Sequence, residues 1–194
     1  MQSIVTKHRG ARPDSANEKH VRSSRLSSAL IVIILVLVLG TAAYLLRRPR
    51  PLPSTLTIDY MKIDGTLGSW IISARPPLAG ETQNEYLRDR VLYASVQEVA
   101  GPPAEVEAVR FPPRTHVLSA SVSGTTATVD LSKDVTGGMG GSFSETGEFE
   151  ALVFTLTDIR GINSVQVLVD GRRVETLPGG NLELDTPLRR SDFS

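Results

Sequence analysis

The sequence predicts an α+β domain, a two-layer sandwich whose mainly antiparallel sheet carries two helices on one face, preceded by one transmembrane helix. Three observations predict it. Short runs with apolar residues at every second position come in pairs joined by turn residues. Two longer runs carry apolar residues at helical spacing, and a charge-free apolar stretch stands apart near the N-terminus. Helices with one apolar stripe and strands with one apolar face bury each other as helices laid against a sheet.

Residues 1–28 carry six Lys or Arg against two acids, are rich in Ser and show no apolar period, so a disordered cytoplasmic tail is expected there. "ALIVIILVLVLGTAAYLL", residues 29–46, contains no charge. A helix of that length is roughly 27 Å long, close to the hydrocarbon thickness of a bilayer. Its apolar character goes all the way round, and Arg47 and Arg48 end it abruptly. Thr41 and Ala43 would suit signal-peptide cleavage, but Leu45 and Leu46 continue the apolar run past them, which favours an uncleaved anchor. Only Arg47, Arg48 and Arg50 follow the span closely, so the basic excess places the N-terminus in the cytoplasm and the rest outside. Residues 47–56, opening with "RRPRPLPS", read as a stiff linker, and residues 57–194 as the domain.

In the domain, "LTIDYMKI" and "SWIISA" flank "DGTLG" as a first hairpin. "TQNE" at 82–85 sets a Thr three residues before a Glu, the reciprocal cap of a helix start. Leu87, Val91, Leu92, Val96 and Val99 then recur at helical spacing, giving a helix over about 82–99 that "AGPP" terminates. "THVLSASV" and "TATVDLS" form a second hairpin around "SGT", residues 123–125. After the flexible "TGGMGGS", Ser142 and Glu145 repeat the capping spacing ahead of Phe149, Leu152, Val153, Leu156 and Ile159. Arg160 and Gly161 end that second helix. A last hairpin is expected in "VQVLVDGRRVETL", turning at Asp170-Gly171, with Arg172 and Arg173 in weak surface ion pairs beside nearby acids.

A chain of 194 residues, 40% hydrophobic, holds one packed domain plus accessories. The 21 basic and 21 acidic residues conceal a split, because residues 51–194 carry twelve bases against nineteen acids. An acidic domain repels phosphate backbones, so nucleic acid is excluded as a partner. The absence of cysteine removes disulfides, thiolate metal sites, cysteine nucleophiles and anchoring through an acylated cysteine.

No catalytic, cofactor-binding or metal-ligating residue is assigned. His8, His20 and His116 are too scattered for a metal cluster. Neither a nucleophile elbow nor a Ser-x-x-Lys pair occurs. "TGGMGGS" resembles a phosphate loop but lacks its Lys. Glu145, Glu148 and Glu150 could be paired carboxylates for glycan hydrolysis, yet acids belong in a first helical turn, where they meet the positive end of the dipole. Trp70 fits a core better than a sugar platform, and Tyr60, Tyr86 and Tyr93 complete a thin aromatic supply.

Several stretches in order carry a family resemblance: the helix ending in "VAGPP", then "FPPRTHVLSASVSGTTATVDLSKDV", "TGGMGGS", "TLTDIRGINSVQVLVDGRRVETL" and "GNLELDTPLRR". Through them the region from about 57 to 190 resembles the GerMN domain of sporulation and spore-germination proteins. Where family members often carry a longer segment before the "PP" strand entry, this chain has only "AEVEAVRF". The resemblance implies a non-enzymatic module held outside the cytoplasmic membrane, similar to assembly factors and to ring-building modules. It supplies no catalytic residues. The expected function is therefore an envelope interaction or assembly module, its partners other envelope proteins or further copies of itself. The alternative is binding or hydrolysis of peptidoglycan or another envelope glycan.

Overall fold

The computed structural model describes residues 17–47, 52–137, 142–178, 180 and 182–193. The chain divides into two units, Met1–Pro51 and Leu52–Ser194. The first contains helix α1 (Asn17–Arg47). Its described side chains, 30–45, are all exposed, and Leu30 to Leu39 form an unbroken apolar run. Among the described residues no helix is long and apolar enough to cross a membrane. The expected span, 29–46, begins before and ends after those described side chains. Residues 17–28 are helical where a disordered tail was expected; a helix once nucleated gains a hydrogen bond for each residue it adds. The rest of that tail, 1–16, and linker residues 48–51 lie outside the described residues.

The second unit opens with the hairpin of β1 (Thr55–Met61) and β2 (Leu67–Ser73), paired antiparallel without interruption. Helix α2 (Gln83–Ala100) follows, then β3 (Val117–Ser123) and β4 (Thr126–Leu131), α3 (Ser142–Thr157) and β5 (Ser164–Val169). The strands form two sheets, β1-β2 and β3-β4-β5, rather than the single sheet expected. One core nevertheless draws on all of them, with Ile58, Val91, Val129, Leu152 and Val167 fully buried.

The expected last hairpin is replaced by a parallel pairing of β5 with β4. The turn itself forms. Asp170 and Gly171 take φ of 48° and 75°, and Val169 and Arg172 exchange backbone hydrogen bonds of 2.8 and 3.0 Å. That turn is fastened to β4 instead of opening a new strand. Asp170 N–H donates to Leu131 O at 2.9 Å, Gly171 N–H to Asp130 Oδ1 at 2.8 Å, and Lys133 N–H to Asp170 Oδ1 at 3.0 Å. The edge of β5 that a hairpin partner would need is occupied by Leu188, which exchanges bonds of 2.9 and 2.8 Å with Val165. Buried on both faces, β5 has the composition of a parallel strand.

Thr82 and Glu85 make the expected reciprocal cap: Glu85 N–H donates to Thr82 Oγ1 at 3.2 Å, and Thr82 N–H to Glu85 Oε2 at 2.8 Å. The buried face of α2 differs from the expected stripe. It consists of Tyr86, Leu87, Arg90, Val91, Ala94, Ser95 and Glu98, leaving Leu92 half-buried and Val96 exposed. Helix α3 buries the expected Phe149, Leu152, Val153 and Leu156; it ends at Thr157, ahead of the expected Arg160 and Gly161, and Ile159, buried as well, lies beyond it. Its Gly147 is required, since a Cβ there would stand 2.8 Å from Met61 Cγ. Ser142 is the first residue of α3; residues 138–141 before it lie outside the described residues, as does the Ser142 side chain.

Polar residues appear on the inner face of α2 because β1 has β2 on one side only. The outward backbone groups of β1 need other partners. Arg90 donates to Pro53 O at 2.7 Å and Thr55 O at 2.8 Å, and Val109 N–H donates to Met61 O at 2.8 Å. Asp59 N–H donates to Thr155 Oγ1 at 2.8 Å, and the Thr155 hydroxyl donates to Glu98 Oε2 at 3.1 Å. One fully buried hydroxyl thus joins β1, α3 and α2. Thr155→Val, which keeps the shape but removes both bonds, is expected to lower unfolding free energy by about 1–3 kcal/mol in urea titrations, with Thr155→Ser much closer to the parent.

Candidate functional site

The carboxylates divide into an inner and an outer group. Glu98 is buried, and its carboxyl is pushed well above the ordinary range by that burial, with the Thr155 hydroxyl opposing and the Asp59 charge adding. Asp59 is raised to about 6, first by burial and then by the Asp158 charge, with Arg190 opposing. Glu148 is raised to about 8 by burial and, secondarily, by Glu145 one turn away. Glu150 is raised by burial as well. The pair Glu145 and Glu148 does not face an open cleft: residue 180 lies so close that a Cβ on it would stand 2.2 Å from both Glu145 carboxylate oxygens. Burial favours the protonated form of Glu98, Asp59, Glu148 and Glu150.

Other singled-out residues have structural surroundings. His116 is exposed at the start of β3, where its backbone is tied to Ser132 by bonds of 3.1 and 2.8 Å. His20 lies in α1, and His8 is outside the described residues. Among the described residues no cluster of three potential metal ligands occurs. Residues 138–141 of "TGGMGGS" are outside the described residues too. Trp70 is half-buried against Tyr60, ring centroids 5.7 Å apart. Tyr86 is buried and its hydroxyl donates to Arg75 O at 2.8 Å. Arg173 reaches the Asp185 carbonyl at 3.4 Å rather than the carboxylate expected of it.

Leu92, Tyr93 and Val96, turned away from the core, wall a groove of about 540 Å³ between α2 and the end of β2, opposite Ser73 and Ala74. At its mouth Arg75 is held by Glu81 and, at 2.7 Å, by Asp89, so its charge is compensated.

The strand edges are treated unequally. Outward groups of β1 are satisfied by Arg90, Thr155 and Val109, as described. On β5, Leu188 takes both groups of Val165, the Gln166 amide donates to Val167 O at 3.0 Å, and Arg172 closes Val169. On β3 the register shifts between Val117 and Ser119, which breaks the row of outward groups. On β2 the row is whole. Ala74 N–H donates to Ser54 O at 2.8 Å and Lys62 N–H to Thr66 O at 2.9 Å, which makes the even-numbered residues the hydrogen-bonded pairs of the hairpin. The backbone groups of Leu67, Ser69, Ile71 and Ser73 therefore point away from β1, and they have no hydrogen-bond partner among the described residues. The strand contains no charge, proline or bulge, the usual protections of an edge, and Ile71 is 72% exposed.

Sequence reasoning missed Glu98, Arg90, Asp59 and Thr155. Glu98 was accessible to it, because it lies seven residues after Val91 and eleven after Leu87, on the same helical face. Thr155 needed the fold, since both its partners are remote in sequence.

Two small sheets sharing a core with two helices, with the edge of β2 left open among the described residues, define an α+β module. The chain belongs to the GerMN-type family described as "Germane: Sporulation and spore germination", whose model matches residues 77–175. No curated protein matches the chain. Among solved structures, the tandem GerMN domains of the sporulation protein GerM from Bacillus subtilis are 19% identical, with a TM-score of 0.53 over 72% of this chain. The chain spans 48% of that tandem protein, and the likeness shows the fold. The first GerMN domain of the same protein is 22% identical, with a TM-score of 0.45 over 74% of this chain and 100% of that one. A Clostridium perfringens protein described as a lipoprotein is 23% identical, with a TM-score of 0.48 over 73% of this chain and 90% of its own.

The raised carboxyls give stability a definite dependence on pH. Between a group's ordinary and folded values the folded state keeps a proton that the unfolded chain has lost, so raising the pH favours unfolding. The contribution of Glu148 is fully present below 4.5 and lost as pH rises through about 8; that of Asp59 is lost between 3.8 and about 6. The urea midpoint is expected to fall steadily from pH 5 to pH 8. Glu148→Gln, which stays neutral throughout, is expected to flatten the upper part of that decline, and an unchanged slope in E148Q would assign the effect elsewhere.

Proposed function

We propose that the chain is a membrane-anchored, extracytoplasmic interaction module of the bacterial cell envelope, non-enzymatic, that docks other envelope proteins or further copies of itself. In this reading residues 29–46 cross the membrane, residues 1–28 lie in the cytoplasm and the domain stands outside. The exposed apolar run from Leu30 to Leu39 supports the anchor. The observation that carries the docking role is the open, uncharged and regular edge of β2, where β1 and β5 are closed by side chains or by the C-terminal segment and β3 is interrupted by a register shift. Backbone groups left outward on a regular strand are the acceptor for strand addition. Family membership supports a role linked to sporulation or germination, and envelope remodelling is the wider reading of the same placement.

A second reading, binding or hydrolysis of an envelope glycan, is favoured by one observation: Glu148 keeps its proton near neutral pH beside Glu145, as an acid catalyst must.

Chemical cross-linking in intact membranes followed by identification of the products is expected to yield species larger than the monomer; recovery of the monomer alone counts against docking. For the glycan reading, purified protein and isolated cell wall are expected to give muropeptide release that Glu148→Gln abolishes. Release that survives E148Q removes the carboxylate pair from consideration.

A further inference from the structure

We propose that the partner of β2 is β2 of a second copy, paired antiparallel about Trp70 so that the hairpins of two chains form one four-stranded sheet, β1-β2-β2′-β1′. The proposal rests on the docking reading above and names its occupant.

The register follows from the strand itself. Antiparallel pairing of all seven residues, Leu67 to Ser73, sets Leu67 opposite Ser73′ and Ser69 opposite Ile71′, with Trp70 on the twofold axis. These opposed residues are all odd-numbered, the ones whose backbone groups point outward, so each meets a group with the same need. Even-numbered residues already bonded to β1 fall at the non-bonded positions, where side chains come closest. There Trp70 meets Trp70′, and Ile72 meets Gly68′, a glycine over which the Tyr60′ ring lies. On the other face Ile71 and Ile71′ become diagonal neighbours, covering the most exposed large apolar side chain described in the domain.

Charge does not oppose antiparallel pairing: continued past the strand, the register places Arg75, which Glu81 and Asp89 already hold, opposite the uncharged Gly65′ at both ends of the new sheet. Parallel pairing of equal residues would instead bring the two Arg75–Glu81–Asp89 clusters side by side. No charge lies between those ends, since residues 65–74 contain neither acid nor base. The alternative acceptor, β3, has a register shift in its first half that a straight partner strand would not follow.

Seven paired residues make a modest contact, so confinement to a membrane, which raises the effective concentration of one copy for another, is where the dimer should be seen. The test uses the full chain in membranes. The natural sequence has no cysteine, so introduced ones report alone. Differently tagged copies, one carrying S69C and the other I71C, are coexpressed and mildly oxidised. Facing residues of a bonded pair stand about 5.5 Å apart between Cα atoms, within disulfide reach, so a heterodimer is expected, with far less product when both copies carry S69C. Ile71→Lys is expected to reduce bifunctional cross-linking of otherwise unaltered chains by about tenfold or more, because a lysine on the edge opposes strand addition. Its unfolding midpoint should stay unchanged, since Ile71 faces solvent. Leu118→Lys on β3 should leave the dimer intact.

Loss of the dimer in L118K but not I71K would overturn the proposal while leaving a self-docking module. Capture through position 71 of a different protein, without a dimer, would overturn the second copy and keep docking by the β2 edge. Monomer alone, with no captured partner, would remove both.

Discussion

The domain depends on one requirement: the outward backbone groups of β1 must be satisfied although that strand has a single β neighbour. The hydroxyl of Thr155 meets it at the centre, accepting from Asp59 N–H and donating to Glu98. Arg90 meets it at one end and the 108–109 segment at the other. The inner face of α2 is therefore polar at Arg90, Ser95 and Glu98, where a helix packed on apolar side chains would be apolar. Burying an acid for this purpose is tolerable because Glu98 can keep its proton, which spares the fold the cost of an isolated buried charge. The displaced apolar residues, Leu92 and Val96, then become the wall of the surface groove.

The same requirement distinguishes the edges. Side chains close β1, the C-terminal segment closes much of β5, and a register shift interrupts β3. Each device is a different physical answer to the tendency of strand edges to recruit more strands. The uncharged, regular β2 shows none of them.

Much of the fold was legible in the sequence, for reasons that can be named. Local chemistry was read correctly wherever it alone decides: the Thr82–Glu85 cap, the β1-β2 hairpin, the α3 stripe and the positive-φ turn at Asp170-Gly171. It misled where tertiary partners decide. "VQVLVDGRRVETL" has everything a hairpin needs locally, but β4 offers β5 a longer apolar partner and Leu188 takes the remaining edge. The α2 stripe was misassigned because Leu92 and Val96 are apolar while the true inner positions include Arg90 and Glu98. A stripe drawn from apolar letters fails when a helix packs against backbone. The open edge could not be read either, since it is defined by what does not cover it.

The fastening of the Asp170-Gly171 turn to β4 also bears on the order in which the domain can be made. The turn closes locally, but its three bonds to residues 130–133 and the alignment of β5 on β4 join segments separated by all of α3. Contacts of that separation form late, because a long loop must close first. During synthesis the three-stranded sheet can pair once β5 has emerged, but until Leu188 follows, the outer edge of β5 is unprotected. A hairpin-prone stretch in that position is a standing competitor to the native pairing, so the last few residues of the domain act as the latch that makes the parallel arrangement the final one.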